Sequence, residues 1–172
     1  MSRNFHSNCH EKRINEYQGV TYALRADNLS TSEISSVFDL KPTHAFERGD
    51  IFIPKHGSFA GKEVTHQWGV WQYNSSHFVQ SNEITDHIDF ILESFEKKNE
   101  EVHHYLNDVT FDIQLRIWFE GGSGIAGIGF DNTLLLRMMS ICKAIFFTIA
   151  RDEYSFDESI IKHLIYSNPP MP

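Results

Sequence analysis

Hydrophobic and polar positions repeat along this chain in two rhythms, and the rhythms divide it into strands and helices. The clearest stretch is residues 109–120. Val109, Phe111, Ile113, Leu115, Ile117 and Phe119 alternate with Thr110, Asp112, Gln114, Arg116, Trp118 and Glu120. A period of two predicts an antiparallel strand with one face covered and the other toward water, which puts Trp118 on the open face. Residues 20–25 repeat this on a smaller scale, with Val20, Tyr22 and Leu24 on one side. Ser30-Thr31-Ser32-Glu33 fits a capping box and opens a helix with Ile34, Val37 and Phe38 inward. Pro42 prevents that helix from continuing and biases Lys41 to an extended form. Residues 45–53 read as extended with Gly49 available for a turn, 54–61 as a loop, and 64–73 as a strand rich in β-formers.

Helical spacing takes over near Asn82 or Thr85. Ile84, Ile88, Ile91, Leu92 and Phe95 form one buried stripe. The helix then either continues solvated or breaks near Asn99, and Val102, Tyr105 and Leu106 return to the core. Gly121 to Gly124 are a turn, and residues 125–130 a hairpin partner of the long strand. Asp131 or Asn132 caps a helix with Leu134, Leu135, Met138 and Ile141, and a strand follows at 144–151. Ser155-Phe156-Asp157-Glu158 repeats the capping pattern before a last short helix. The expected fold is α+β: split βαβ (ferredoxin-like) units forming an antiparallel sheet, helices mainly on one face, and a short C-terminal helix. The expected division is a polar arm at 1–19, a single domain at 20–154, and a helix with a Pro-rich tail at 155–172.

With 172 residues and 41% hydrophobic positions, the chain can bury a core without a metal or disulfide. A net charge of −8 argues against nucleic acid as partner and favours a basic protein, or simply keeps the chain dissolved. Cys9 lies in the polar arm and Cys142 in an apolar helix, which fits a reduced, cytoplasmic setting. The first residues carry no apolar core of a signal peptide, and no run approaches the ~18 apolar residues of a membrane helix.

One segment concentrates shape-determining residues: Phe38-Asp39-Leu40-Lys41-Pro42-Thr43, then Glu47-Arg48-Gly49-Asp50, then Trp68-Gly69-Val70-Trp71. Together with Asp152-Glu153-Tyr154 it resembles the signature of domain-of-unknown-function family 4279. In that family a short helix ends in a Pro-Thr pair, a charged residue and Gly follow, and a Trp-rich strand comes next. The resemblance covers roughly residues 20–154. It implies a bacterial α+β domain and makes Arg48-Gly49 a structural turn, with Arg48 facing the Trp68/Trp71 strand. It implies no particular chemistry.

Other motifs have plain readings. Gly122-Ser123-Gly124-Ile125-Ala126-Gly127 spells G-x-G-x-x-G, but an extended pattern follows where a dinucleotide site needs a helix, so it reads as a hairpin. Arg48-Gly49-Asp50 is an adhesion tripeptide by coincidence. His6, Cys9 and His10 lack a second cluster at zinc spacing, and His103-His104 diverge on a helix, so no metal and no cofactor is expected. No nucleophile elbow or carboxylate pair stands out.

The candidate binding residues are Arg48, Trp68, Trp71, Trp118, Asp152 and Tyr154. Arg48 is either a structural stack on tryptophan or a pocket wall. Asp152 and Tyr154 are either a strand-end bond or a cleft lining. Ile160, Ile161, Leu164 and Ile165 either cover the sheet or hold a homodimer together. The expected function is non-catalytic binding of another protein, immunity-like or antitoxin-like. The alternative is a small-molecule sensor with a Trp-lined pocket. A hydrolase using histidines and acids brought together by the fold is a third reading.

Overall fold

The computed structural model describes residues 18–55, 57–121 and 129–151. In chain order they form β1 (Gly19–Ala26), α1 (Thr31–Phe38), β2 (His44–Phe46), β3 (Ile51–Phe52), β4 (Val64–Thr65), β5 (Gly69–Asn74), a 3-10 turn (Ser75–His77), α2 (Ile84–Glu96), α3 (Asn99–Asn107), β6 (Asp112–Gly121), α4 (Asn132–Ile141) and β7 (Ala144–Arg151). The expected hairpin after β6, the N-terminal arm and the C-terminal helix lie outside the described residues.

Local chemistry sets the boundaries. Ser30 Oγ accepts the Glu33 amide at 3.3 Å and so caps α1. The helix stops earlier than Pro42 requires. Asp39 adopts a left-handed conformation (φ 47°) and the Leu40 amide bonds back to the Ser35 carbonyl at 3.1 Å, which closes the last turn. Val37, expected inward, is exposed. The extended stretch 45–53 is two strands, because Gly49 turns between them at φ 95° and the Asp50 carboxylate accepts the Glu47 amide at 2.8 Å. The expected strand at 64–73 is likewise divided into β4 and β5. β6 starts at Asp112 rather than Val109. The Asp108 carboxylate accepts both the amide and the hydroxyl of Thr110, at 2.9 and 2.7 Å, and this turn leaves Val109 almost fully in water.

Five strands form one sheet in the order β2-β5-β1-β6-β7, and β3 and β4 form a separate hairpin. The pairs β2–β5, β5–β1 and β1–β6 are antiparallel. The β6–β7 pair is parallel, so the sheet is mixed and the all-antiparallel expectation is corrected. The cause is α4. It returns the chain to the start of β6, where the Lys143 amide bonds the Ile113 carbonyl at 2.9 Å, and β7 then runs beside β6 in the same direction.

One core joins the helices to the Tyr22 side of the sheet. Tyr22, Leu24, Trp71, Ile113, Leu115 and Ile117 point into it. Phe95 of α2 sits in an aromatic cluster, stacked on Tyr22 at 3.9 Å and edge-on to Phe38 at 5.3 Å. The Trp71 indole N–H donates to Ser35 Oγ at 2.9 Å, which ties β5 to α1. Cys142 is a buried free thiol whose pKa burial pushes up to about 11. No helix among the described residues is long and apolar enough to cross a membrane.

The Tyr22 hydroxyl is buried without a hydrogen-bond partner among the described residues, and burial raises its pKa far above the usual phenol value. Tyr22→Phe removes an unpaired polar atom and keeps the ring stack. We expect it to raise the unfolding free energy by about 1 kcal/mol, read as a higher urea midpoint at unchanged slope. A lower midpoint would show that the hydroxyl is satisfied in solution.

Candidate partner-binding surface

The sheet has a second face, opposite the helices. Odd positions of β1 and even positions of β6 meet there. The register aligns Ala23 with Gln72 and Gln114, Thr21 with Arg116, and Arg25 with Asp112. Arg25 Nη2 donates to Asp112 Oδ2 at 2.7 Å, and its guanidinium lies 5.0 Å from the Trp68 ring centroid. Arg116 donates to Gln114 Oε1, and Gln114 donates to Asp112. The chain Trp68–Arg25–Asp112–Gln114–Arg116 therefore spans this face as a hydrogen-bonded, stacked series.

Against this geometry the sequence candidates separate. Trp68 lies by Arg25 on the second face, whereas Trp71 is buried in the helix-side core. A spacing of three along an extended chain puts two side chains on opposite sides, so one pocket does not hold both. Arg25, not Arg48, stacks on Trp68. Arg48 stands in the Gly49 turn, half-exposed and 3.9 Å from Asp27. Trp118 is on the predicted face but half-buried. Its ring packs so closely over Gly19 that a Cβ there would come within 2.9 Å of Cζ2, so any other residue at 19 would force the indole to shift. Asp152, Tyr154, Ile160, Ile161, Leu164 and Ile165 lie outside the described residues.

A histidine pairing is present that the sequence did not reveal. His87 of α2 is buried, with Nδ1 2.9 Å from Ser75 Oγ and Nε2 3.0 Å from the Ser81 carbonyl. Ser75 Oγ also accepts the Val20 amide at 2.8 Å. The serine proton therefore goes to Nδ1, and Nε2–H goes to the carbonyl. The pair has the spacing of a nucleophile and its base. However, Ser75 is fully buried, and a carbonyl stands where an orienting carboxylate would be. Its role is to fasten α2 and β1 to the 3-10 turn.

That turn also builds an exposed aromatic surface. Asn74 Oδ1 caps it by accepting the Ser76 amide at 2.9 Å, and the Phe78 amide bonds the Ser75 carbonyl. Phe78 is thereby turned outward and is 51% exposed. Its ring stacks on Tyr73 at 4.9 Å and on Phe90 of α2 at 5.4 Å. Burial raises the Tyr73 pKa. Phe90 lines a depression of about 330 Å³ with Glu93, Ser94, Lys97 and Lys98. On a helix, positions four before and three after Phe90 share its side, so Asp86 and Glu93 flank the ring.

This is also where the charge of the chain resides. Residues 83–101 carry seven carboxylates against two lysines, a net of −5 out of −8 for the whole chain. Two of the seven share one cation from α4. Arg137 holds Glu96 at 2.8 Å and Asp89 at 3.2 Å. Its hydrogen bond keeps the Glu96 carboxyl below the usual range. Asp86 accepts the Ser81 hydroxyl. Glu93 has no ion pair among the described residues, which leaves it available beside the exposed ring.

Across the domain, His66 is stacked between Phe46 at 3.5 Å and Phe52 at 4.3 Å. Burial lowers its pKa, His44 adds to the effect, and Asp50 opposes it. This stack fixes the β3–β4 hairpin to the sheet. No group of three metal-ligating side chains occurs among the described residues.

No curated protein and no solved structure matches the chain. The sequence profile of a domain of unknown function (DUF4279) matches residues 15–156. That span runs from before β1 to beyond the end of β7 and includes the helix–turn–tryptophan segment and the Phe78–Phe90 surface. On that match, the chain belongs to the DUF4279 family.

Proposed function

We propose that this protein is a non-catalytic binding protein whose partner is a basic protein, in the manner of an immunity protein or antitoxin in a bacterial cytoplasm. The observation that carries the reading is the exposed Phe78–Phe90 stack set beside Asp86 and Glu93 in the most acidic stretch of the chain. An arginine of the partner laid on the Phe78 ring gains a cation–π contact of about 1 kcal/mol. Its guanidinium edge can then reach a carboxylate for a paired hydrogen bond. Aromatic anchors within a charged rim are the usual anatomy of an interface centre. The wider acidic field of α2 speeds encounter with a basic surface, and that gain falls as salt rises.

The strands β6, β1, β5 and β2 alternate in direction, and each of the two helical crossovers skips over one strand. This supports a ferredoxin-like arrangement of split βαβ units, extended by α4 and β7.

The test is capture by the immobilised full chain and by Phe78→Ser/Glu93→Lys, from lysate of the native host. Both changes are at exposed positions and leave the core intact. The expected result is a basic protein that the native chain retains and the variant loses, with affinity lower by roughly tenfold to a hundredfold and weakened further by salt. Equal recovery on both chains would refute this surface.

A second reading, a small-molecule sensor, is favoured by one observation. Gln72 on the second sheet face is nine-tenths buried, and its side-chain amide nitrogen has no partner among the described residues. An acceptor oxygen of a ligand over Ala23 would satisfy it. A defined metabolite released on denaturing the purified protein, in place of a captured protein, would favour that reading.

A further inference from the structure

The two edges of the main sheet are built differently. β2 has three residues, is preceded by Pro42, and runs straight into the Gly49 turn. Short strands and prolines keep an edge from recruiting another strand. β7 has eight residues, Ala144–Arg151, without Pro, Gly, Asp or Glu. It is the last strand in the sheet order, and among the described residues it pairs only with β6.

Its side chains are exposed as well. Phe146 and Phe147 are consecutive, so they stand on opposite faces of the sheet, and they are 47% and 49% exposed. On α4, which leads into β7, Leu136 is 67% and Met139 62% exposed. Among the described residues, this edge and its neighbouring helix therefore expose four large apolar side chains.

Charge indicates the occupant. The chain holds 23 carboxylates, yet residues 132–151 contain none. The cations of this stretch are largely answered within the chain. Arg137 is held by Glu96 and Asp89, and the Lys143 ammonium donates to the carbonyls of Asp108 and Phe111 at 2.6 and 2.7 Å. Two copies of a chain carrying −8 repel one another over most of their surface. At this edge they meet without opposing carboxylates.

We propose that β7 is the contact of a homodimer, with β7 of one copy pairing antiparallel to β7 of a second about a two-fold axis. An edge strand can satisfy a copy of itself in this way. The β7 edge of each copy is then used up, so the assembly closes at two chains. The sheet becomes continuous across the pair, and Leu136 and Met139 of each copy border the seam. This inference is independent of the partner surface, which lies at Phe78 and α2.

Sedimentation of the full chain over a range of concentrations tests it, with Phe146→Lys, Met139→Glu and Ile161→Asp beside the native protein. All three folds are checked by far-UV circular dichroism. The native chain is expected to be a dimer. Phe146→Lys should raise its dissociation constant roughly tenfold or more, Met139→Glu should weaken it measurably, and Ile161→Asp should leave it unchanged. If Phe146→Lys fails to fold, Met139→Glu carries the test, because its site is on the outside of a helix. A monomeric native chain overturns the proposal. So does a dimer that survives Phe146→Lys and Met139→Glu, or one lost only with Ile161→Asp, which would assign self-association to the C-terminal segment.

Discussion

Phe95→Ala is expected to cost about 4 kcal/mol of stability, the largest loss of any single truncation considered. Phe95 is wholly buried where α2 crosses the sheet. Its ring stacks on Tyr22 at 3.9 Å, and Phe38, Tyr73 and Trp71 surround it at 5.3, 6.0 and 6.4 Å. These rings come from β1, α1 and β5, so removing Phe95 opens a cavity among elements distant in sequence. Large aromatics fixed on separate elements close such a cavity poorly, which places the cost in the upper part of the usual range for Phe→Ala. Phe95→Leu refills much of the volume and should recover more than half of the loss. Equilibrium urea unfolding reads both. A loss below about 1 kcal/mol for alanine would mean that this cluster is not the centre of the core.

His87→Ala is expected to cost about 3 kcal/mol, although it removes no aromatic packing. The substitution takes away the acceptor of the buried Ser75 proton and the donor to the part-buried Ser81 carbonyl. Unpaired buried groups cost about 1–3 kcal/mol each, and the vacated volume adds to that. Ser75→Ala should lose a comparable amount, because it leaves the Val20 amide without its acceptor. The double variant should lose clearly less than the two single losses added together, since both act on one network. Additive losses would contradict the shared network. A near-native stability for His87→Ala would remove the structural role assigned to the pair and reopen the question of its chemistry.

How far the fold could be read from the sequence depends on the residue. The stripe Ile84, Ile88, Ile91, Leu92, Phe95 and the alternation from Ile113 to Ile117 each bury one face, and the structure packs those residues into one core with Ile84 at its margin. The family signature was also legible, because it rests on turn residues and tryptophans whose local geometry is strict. The direction of β7 was not. A strand's own pattern does not say whether its neighbour runs parallel, and only the return path through α4 decides it. The split of 45–53 and 64–73 was missed because β-formers on both sides of a turn look continuous until the turn closes through Gly49 and His66.

The candidate surface was legible only in part. The odd spacing of Trp68 and Trp71 already required opposite faces. Arg25, following Val20, Tyr22 and Leu24, already had to point away from the core. Phe78 and Phe90 carried a weaker signal. Phe78 is an aromatic in a polar segment, and Phe90 is an aromatic off the buried stripe of its helix. Their stacking depends on the turn at Ser75 bringing β5 and α2 together, which is a tertiary event. The Ser75–His87 contact arises in the same way, from residues twelve apart joined across that turn.

The most direct test of the central claim is amide hydrogen exchange of the full chain with and without the captured basic partner. Added protection is expected only in the 3-10 turn and α2, over Phe78, Phe90 and Glu93, and none in the β3–β4 hairpin. Protection over Arg25, Gln72 and Gln114 with α2 unchanged would contradict it and move the binding site to the second face of the sheet.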